Sequence, residues 1–277
     1  MNPTVAARPA RQHSGPLGTM WRVLFALILR ESRTRYGRHR LGYAWALLGP
    51  TAQVCALAFV WALLGRTSHS GIDLVPLIIT GVVSLHAFMQ ISGRMAGALN
   101  ANRALLMYPP VHTADPLIAR AILETLTAFV ILCLLLGGAA ILGYTVPCGN
   151  LALAMWAFVC GAVFAAGYGF LLSAASRTTA LADRASTFIN RALFYTSGVF
   201  FTLDMLPMQA AQTLSWVPMA QMIETLRAGL FPDAGLSYSD PLYLGWCAIV
   251  TLGLGLSAHR LVERLPSHRL PGFGDAA

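Results

Sequence analysis

Residues 33–50 read RTRYGRHRLGYAWALLGP, and the fold turns on this stretch. Four arginines (Arg33, Arg35, Arg38 and Arg40) stand directly before an apolar run that lasts to Leu64. An arginine at the centre of a bilayer costs about 2.5–3.5 kcal/mol on insertion scales. The junction at Leu41 therefore marks a membrane face. The run beyond it reads as a first span, about Leu41–Leu64, kinked at Pro50.

The totals agree with that reading. Of 277 residues, 56 % are hydrophobic and 11 % charged, with a mean hydropathy of +0.62. Soluble domains carry about 25 % charged residues, so this chain lacks the charge to cover a soluble surface and reads as an integral membrane protein. The net charge is +8, and all 19 basic residues are arginine. Guanidinium forks suit phosphate or carboxylate partners, while a G- and C-rich genome gives the same bias. The absence of lysine excludes a P-loop, so the chain does not hydrolyse ATP by that route. Cys55, Cys133, Cys148, Cys160 and Cys247 show no CxxC spacing, which indicates neither a disulfide framework nor a metal site.

Working outward, residues 1–16 mix Pro, Gly and Arg without periodicity and read as disordered. Leu17, Met20, Trp21, Leu24, Phe25 and Ile28 then follow the period of one helical stripe, with Arg22, Arg30 and Arg33 off it. This predicts a basic amphipathic helix over 17–40 lying in the membrane interface; a helix packed on a partner is the alternative. Downstream, a second span covers about Leu74–Ile91. Residues 93–107 form an amphipathic segment that Pro109-Pro110 stops. The third span is capped by Asp115 with Pro116 in the first turn and runs to about Leu142. A fourth covers about Leu151–Ala175, the polar stretch Ser176–Asn190 follows, and a fifth apolar run is about Ala192–Leu203. Pro207–Leu230, broken at Pro218 and carrying Glu224 and Arg227, fits two re-entrant helices better than a span. Asp240-Pro241 opens the last span, about Leu242–Leu261, before an unstructured tail at 263–277.

The expected fold is an all-α integral membrane protein with six transmembrane helices over 41–262, an N-terminal interface helix, and a re-entrant helical hairpin before the last span. Seventeen arginines then fall on the side of the N-terminus and two, Arg66 and Arg227, on the other. The positive-inside rule places both termini in the cytoplasm.

Individual residues carry paired readings. Glu124 is an intramembrane carboxylate and hence a functional candidate, or a local partner of Arg120 one turn earlier. His86 lacks neighbours at ligand spacing and reads as a hydrogen-bonded interior histidine. Glu224 and Arg227, three apart, pair with each other or act as gate residues. The 93–107 segment is a solvated amphipathic helix or a docking surface. Arg35, Arg38, Arg40, Tyr43 and Trp45 suit an anionic lipid headgroup or acidic sugar, or merely orient the protein. No HExxH, GxSxG, intramembrane aspartate pair or Gly-rich phosphate loop is present, so no catalytic residue is assigned.

Three blocks in order carry a family likeness: RYGRHRLGYAWALLGP, NANRALLMYPPVHTADPLIARAILE and SGVFFTLDMLPMQAAQTLSWVPMAQMIETLRAGLF. The chain resembles ABC-2-type exporter membrane subunits over about Leu24–Arg260, and most closely the capsular polysaccharide exporters. One departure is Val217-Pro218 where relatives often carry Asn-Pro. The resemblance implies a homodimeric permease in the inner membrane of a Gram-negative cell, exporting a lipid-linked acidic polysaccharide. It implies two cytoplasmic ATPase subunits that bind the ATP and Mg, a periplasmic co-polymerase and an outer-membrane export protein. No cofactor in this chain and no nucleic-acid partner are implied. By position, Asn100, Asn102, Arg103, Leu105, Leu106 and Met107 belong to the coupling helix that meets the ATPase. Arg35, Arg38, Arg40, Tyr43 and Trp45 line the mouth for the lipid-linked end. Tyr168, Tyr195, Phe200, Phe201, Trp216, Glu224 and Arg227 line the channel or exit gate. Other cargo (O-antigen, teichoic acid, a drug) fits the same architecture. An intramembrane lipid-modifying enzyme using Glu124 or His86, and a membrane anchor or scaffold, are the rivals of other class.

Overall fold

In hydrocarbon every backbone N–H and C=O has to be satisfied within its own segment, which makes apolar runs helical. The computed structural model describes residues 16–36, 42–65, 71–102, 112–179 and 181–264, and no strand occurs among them. In chain order the helices are α1 (Pro16–Tyr36), α2 (Gly42–Leu63), α3 (Leu74–Ala96), α4 (Ala98–Ala101) and α5 (Ala114–Ile141). They continue with α6 (Leu151–Thr178), α7 (Ala182–Thr196), α8 (Met208–Leu214), α9 (Pro218–Leu230) and α10 (Pro241–Glu263). Four of them, α3, α5, α6 and α10, are long and apolar enough to cross a membrane, and Leu47–Leu63 within α2 forms a shorter apolar helix. The described residues form an all-helical, multi-pass membrane protein.

Helix α3 lies at the centre, packed against α2, α5, α6 and α9. From Pro76 to Leu85 it is buried all round. Two close approaches rely on glycine. A Cβ on Gly81 would stand 2.6 Å from the Val199 carbonyl oxygen, and one on Gly255 of α10 would strike the Gly167 carbonyl of α6. Small residues let backbones meet where no hydrophobic effect drives helices together.

Several boundaries differ from the sequence reading, each for a local reason. Residues 93–96 continue α3 instead of opening a separate amphipathic helix, and the chain breaks at Gly97 before the single turn of α4. Helix α5 begins at Ala114, with Asp115 in its first turn accepting the His112 N–H at 2.8 Å rather than capping the helix. The polar stretch 176–190 is largely helical. Here α6 runs to Thr178 and α7 starts at Ala182, and α7 ends at Thr196 in the middle of the apolar run expected as a fifth span. Gly198, at φ +71°, turns the chain there. Pro207–Leu230 does form two short helices, α8 and α9, separated by residues 215–217 ahead of Pro218. Asp240 caps α10 as expected, accepting from the N–H groups of Leu242 and Tyr243 at 3.0 and 2.9 Å. Asn150 caps α6 in the same way, accepting from Leu153 N–H at 3.0 Å. The segments expected to be unstructured fall almost wholly outside the described residues.

Candidate functional site

Helix α9 organises one end of the molecule, and its chemistry starts from spacing. Gln221, Glu224 and Arg227 stand three apart, and all three side chains are buried in a helix otherwise made of Pro, Met, Ala, Ile, Leu, Thr and Gly. A buried polar side chain has to find partners or lose about 1–3 kcal/mol. These three find theirs chiefly in backbone outside the helices, with α3 supplying two more acceptors for Arg227.

Arg227 is 0 % exposed. Its Nη1 donates to the carbonyls of Gly198 and Phe201, both at 2.8 Å. Nη2 donates to Leu77 O at 2.9 Å and Val199 O at 3.3 Å, and Nε to the Thr80 hydroxyl at 3.1 Å. The guanidinium thus collects carbonyls left over where the chain unwinds after α7. Glu224 Oε1 accepts the Leu203 N–H at 2.8 Å and lies 3.8 Å from Arg227 Nη1. The local pair read from sequence exists, but its larger task is to hold segment 198–203 against α3. Gln221 does the same for the 215–217 break. Its amide donates to Ser215 O and Tyr238 O, each at 2.9 Å, and its carbonyl accepts the Asp240 N–H at 2.8 Å. Sequence reading missed Gln221, whose only signal is its spacing from Glu224. At the same end the Asp73 carboxylate accepts from the Thr145 hydroxyl and N–H. These bonds, the hydroxyl's first, hold the Asp73 carboxyl below its ordinary value against a small opposing effect of burial.

The aromatic residues expected along a channel fall into separate groups. Phe200 lies between Trp61 of α2 and Phe194 of α7, with ring centroids 6.2 and 5.0 Å away. Tyr195 stands edge-on to Phe194 and is exposed. Phe201 lends its carbonyl to Arg227. Tyr168 stacks on Phe88 at 5.4 Å, packed against a covered face of α3. Trp216 is 71 % exposed and stands edge-on to Tyr243, whose hydroxyl donates to Trp216 O at 2.7 Å.

At the opposite end α1 docks on α5. Leu24 and Leu27 are buried against Ala119, while Trp21 and Phe25 from the expected stripe stay exposed. One turn beyond Leu27, Glu31 Oε1 meets Arg120 Nε at 2.9 Å, and Arg30 Nη1 donates to Asn102 Oδ1 at 2.9 Å. Asn102 is itself held by its amide donating to Ala98 O at 2.9 Å. Arg120 thus pairs across the fold with Glu31, and Glu124 lies 3.9 Å from Arg94 of α3. The local Arg120–Glu124 reading gives way because α1 covers Arg120. His86 is a hydrogen-bonded histidine, 3.4 Å from the Gln90 amide one turn on. Asn102 sits at the end of α4 and is buried. Arg38, Arg40, Arg103, Leu105, Leu106 and Met107 lie outside the described residues, as do the side chains of Arg35, Tyr43, Trp45 and Asn100. Among the described residues no group of three His, Cys, Asp or Glu side chains is placed to hold a metal.

Helices of this length, broken backbone buried in protein and an amphipathic helix docked at one end define a membrane-domain class rather than a chemistry. The chain belongs to the ABC-2 type transporter family, whose pattern it matches over residues 22–231. Among relatives, it is 30 % identical over 241 residues to the polysialic acid transport protein KpsM of Escherichia coli, covering 86 % of this chain and 92 % of that one. The capsule polysaccharide export inner-membrane protein CtrC of Neisseria meningitidis is 28 % identical over 236 residues, 85 % of this chain and 89 % of its own. BexB of Haemophilus influenzae, likewise a capsule polysaccharide export inner-membrane protein, is 26 % identical over 240 residues, covering 87 % and 91 %.

Proposed function

We propose that this chain is the permease subunit of an ABC transporter that exports a lipid-linked acidic capsular polysaccharide across the bacterial inner membrane. The observation that carries the reading is likeness along almost the whole chain. One polysialic acid transport protein and two differently named capsule polysaccharide export proteins align over 85–87 % of it. Two copies of the chain enclose the path, and two copies of a separate cytoplasmic ATPase bind ATP and Mg and drive it. A periplasmic co-polymerase and an outer-membrane export protein carry the polymer onward.

Both termini are cytoplasmic in this account, which puts sixteen of the nineteen arginines on that side, with Arg191 inside the α7 crossing. Helix α2 and the α7 segment complete six crossings, α1 lies in the interface, and α8 and α9 dip into the outer half of the membrane and return. Buried partners for the broken backbone, supplied by Arg227, Glu224 and Gln221, are what a re-entrant segment needs at that depth. Residues 97–107 receive the ATPase stroke. Arg30 and Glu31 transmit it, because they tie α1 to Asn102 and Arg120, and α1 leads straight into the arginines at 33–40. Those arginines form the mouth for the anionic lipid-linked end.

The test is purification with candidate ATPases from the same cell, then ATP turnover with and without the glycolipid. A stable complex stimulated by the glycolipid is expected. An absent complex, or turnover indifferent to glycolipid, overturns the reading.

A further inference from the structure

Helix α3 is buried on every side from Pro76 to Leu85, but from His86 onward one face opens. His86, Met89 and Gln90 are half-buried there, and Gly93, Arg94 and Gly97, the last just past the end of α3, are exposed. Their spacing of i, i+3, i+4, i+7, i+8 and i+11 puts them on a single face. The three long polar side chains form a ladder along it. Gln90 lies 3.4 Å from the His86 ring, Arg94 Nε donates to Gln90 Oε1 at 3.3 Å, and Glu124 flanks Arg94 at 3.9 Å. Even so engaged, the Arg94 side chain is 51 % exposed. A Cβ on Gly93 would meet nothing within 4 Å.

Depth makes this face informative. At 1.5 Å per residue α3 is about 34 Å long, and His86 stands about 18 Å from its Leu74 end, near mid-membrane. A partly open face with imidazole, amide and guanidinium groups at that depth does not face hydrocarbon. Such groups turn to a protein interior or to water. Among the described residues this face is only partly covered, although α2, α5, α6 and α9 pack on the rest of the helix.

We infer that His86, Gln90 and Arg94 line a water-filled conduit and contact an acidic sugar polymer moving through it. The inference rests on the export reading above and adds the binding surface. Charge and hydrogen-bonding capacity match the cargo. Arg94 at the cytoplasmic end offers a cation to carboxylates, Gln90 and His86 offer donors and acceptors to hydroxyls, and the bare backbone at Gly93 and Gly97 leaves room for a ring. Of the assigned aromatic residues whose side chains are described, none lies on this face.

The test uses the full chain with its ATPase in inverted membrane vesicles. Gln90→Cys, Gly93→Cys and, as a buried control, Ala87→Cys are treated with a membrane-impermeant charged methanethiosulfonate. Reactivity is read above that of the parent with its five native cysteines. We expect Gln90→Cys and Gly93→Cys to label at least tenfold faster than Ala87→Cys, a supply of lipid-linked acidic polymer to slow that labelling, and modification to cut export at least tenfold. Unlabelled Gln90→Cys and Gly93→Cys in chains that insert and co-purify normally overturn the inference. So does labelling without loss of export, and so does high-yield oxidative cross-linking of Gln90→Cys between two copies, which marks a dry subunit contact. If the parent itself exports no polymer, the export reading fails instead, and the labelling pattern is read independently of it.

Discussion

Arg227→Lys retains the positive charge and removes the planar fork, which makes it the sharpest probe of the α9 end. The guanidinium contacts five acceptors, the carbonyls of Leu77, Gly198, Val199 and Phe201 and the Thr80 hydroxyl. A lysine ammonium has three N–H groups, so at least two of the five contacts are lost. At about 1–3 kcal/mol for each lost contact to the charged fork, the substitution costs about 2–6 kcal/mol. For a chain of this size that is a fall of about 4–20 °C in thermal midpoint. The assay is retention of the monodisperse peak on size-exclusion chromatography after heating in detergent. Because Arg227 holds segment 198–203, protease cleavage in that segment should rise in parallel. A midpoint within about 3 °C of the parent would refute the argument that Arg227 staples the break.

Four further expectations follow from the same geometry. Gln221→Leu leaves Ser215 O, Tyr238 O and Asp240 N–H unpaired and should cost about 2–4 kcal/mol, seen as a lower heat-stability midpoint. Gly81→Ala sets a methyl against the Val199 backbone and should cost at least about 1–3 kcal/mol through overpacking, read as reduced monodisperse yield. Glu31→Arg should lower export several-fold by repelling Arg120, and Glu31→Arg with Arg120→Glu should recover it; a double variant as weak as the single one argues against the clamp. The folded Asp73 carboxyl is held low by Thr145. Its contribution is therefore complete above the unfolded value of about 3.9 and lost as pH falls through the lower folded value. Thr145→Val should move the Asp73 titration upward by NMR, and an unchanged titration contradicts the hydrogen-bond cause.

How much of this was legible in the sequence depends on how local each cause is. The long apolar helices and the Asp240-Pro241 start declare themselves within one segment, and the structure follows them. The end of α7 does not. Residues 192–203 are apolar enough to read as a span, yet the chain turns at Gly198, and its stray carbonyls are gathered by an arginine 26 to 29 residues further on. Conversely, Arg177, Asp183 and Arg184 made a largely helical stretch read as a polar break between spans. Ion pairs behaved likewise. The i, i+4 neighbours Arg120 and Glu124 suggested each other, whereas α1, far away in sequence, supplies Glu31. For the candidate site, Glu224 and Arg227 were visible as charges in an apolar helix. Their backbone duties were not, because spacing within α9 says nothing about which broken segment lies beside it. The open face of α3 was hidden for the same reason, since exposure is set by which neighbours arrive.

The central claim is ATP-driven export of a lipid-linked acidic polymer through a pore formed by this chain. Its most direct measurement is reconstitution of the permease and its ATPase in lipid vesicles, with the labelled glycolipid and ATP supplied outside. The account predicts polymer accumulating in the lumen only when hydrolysable ATP is present, and loss of that accumulation in Glu31→Arg. Accumulation that ignores ATP, or ATP hydrolysis with no polymer crossing, contradicts it.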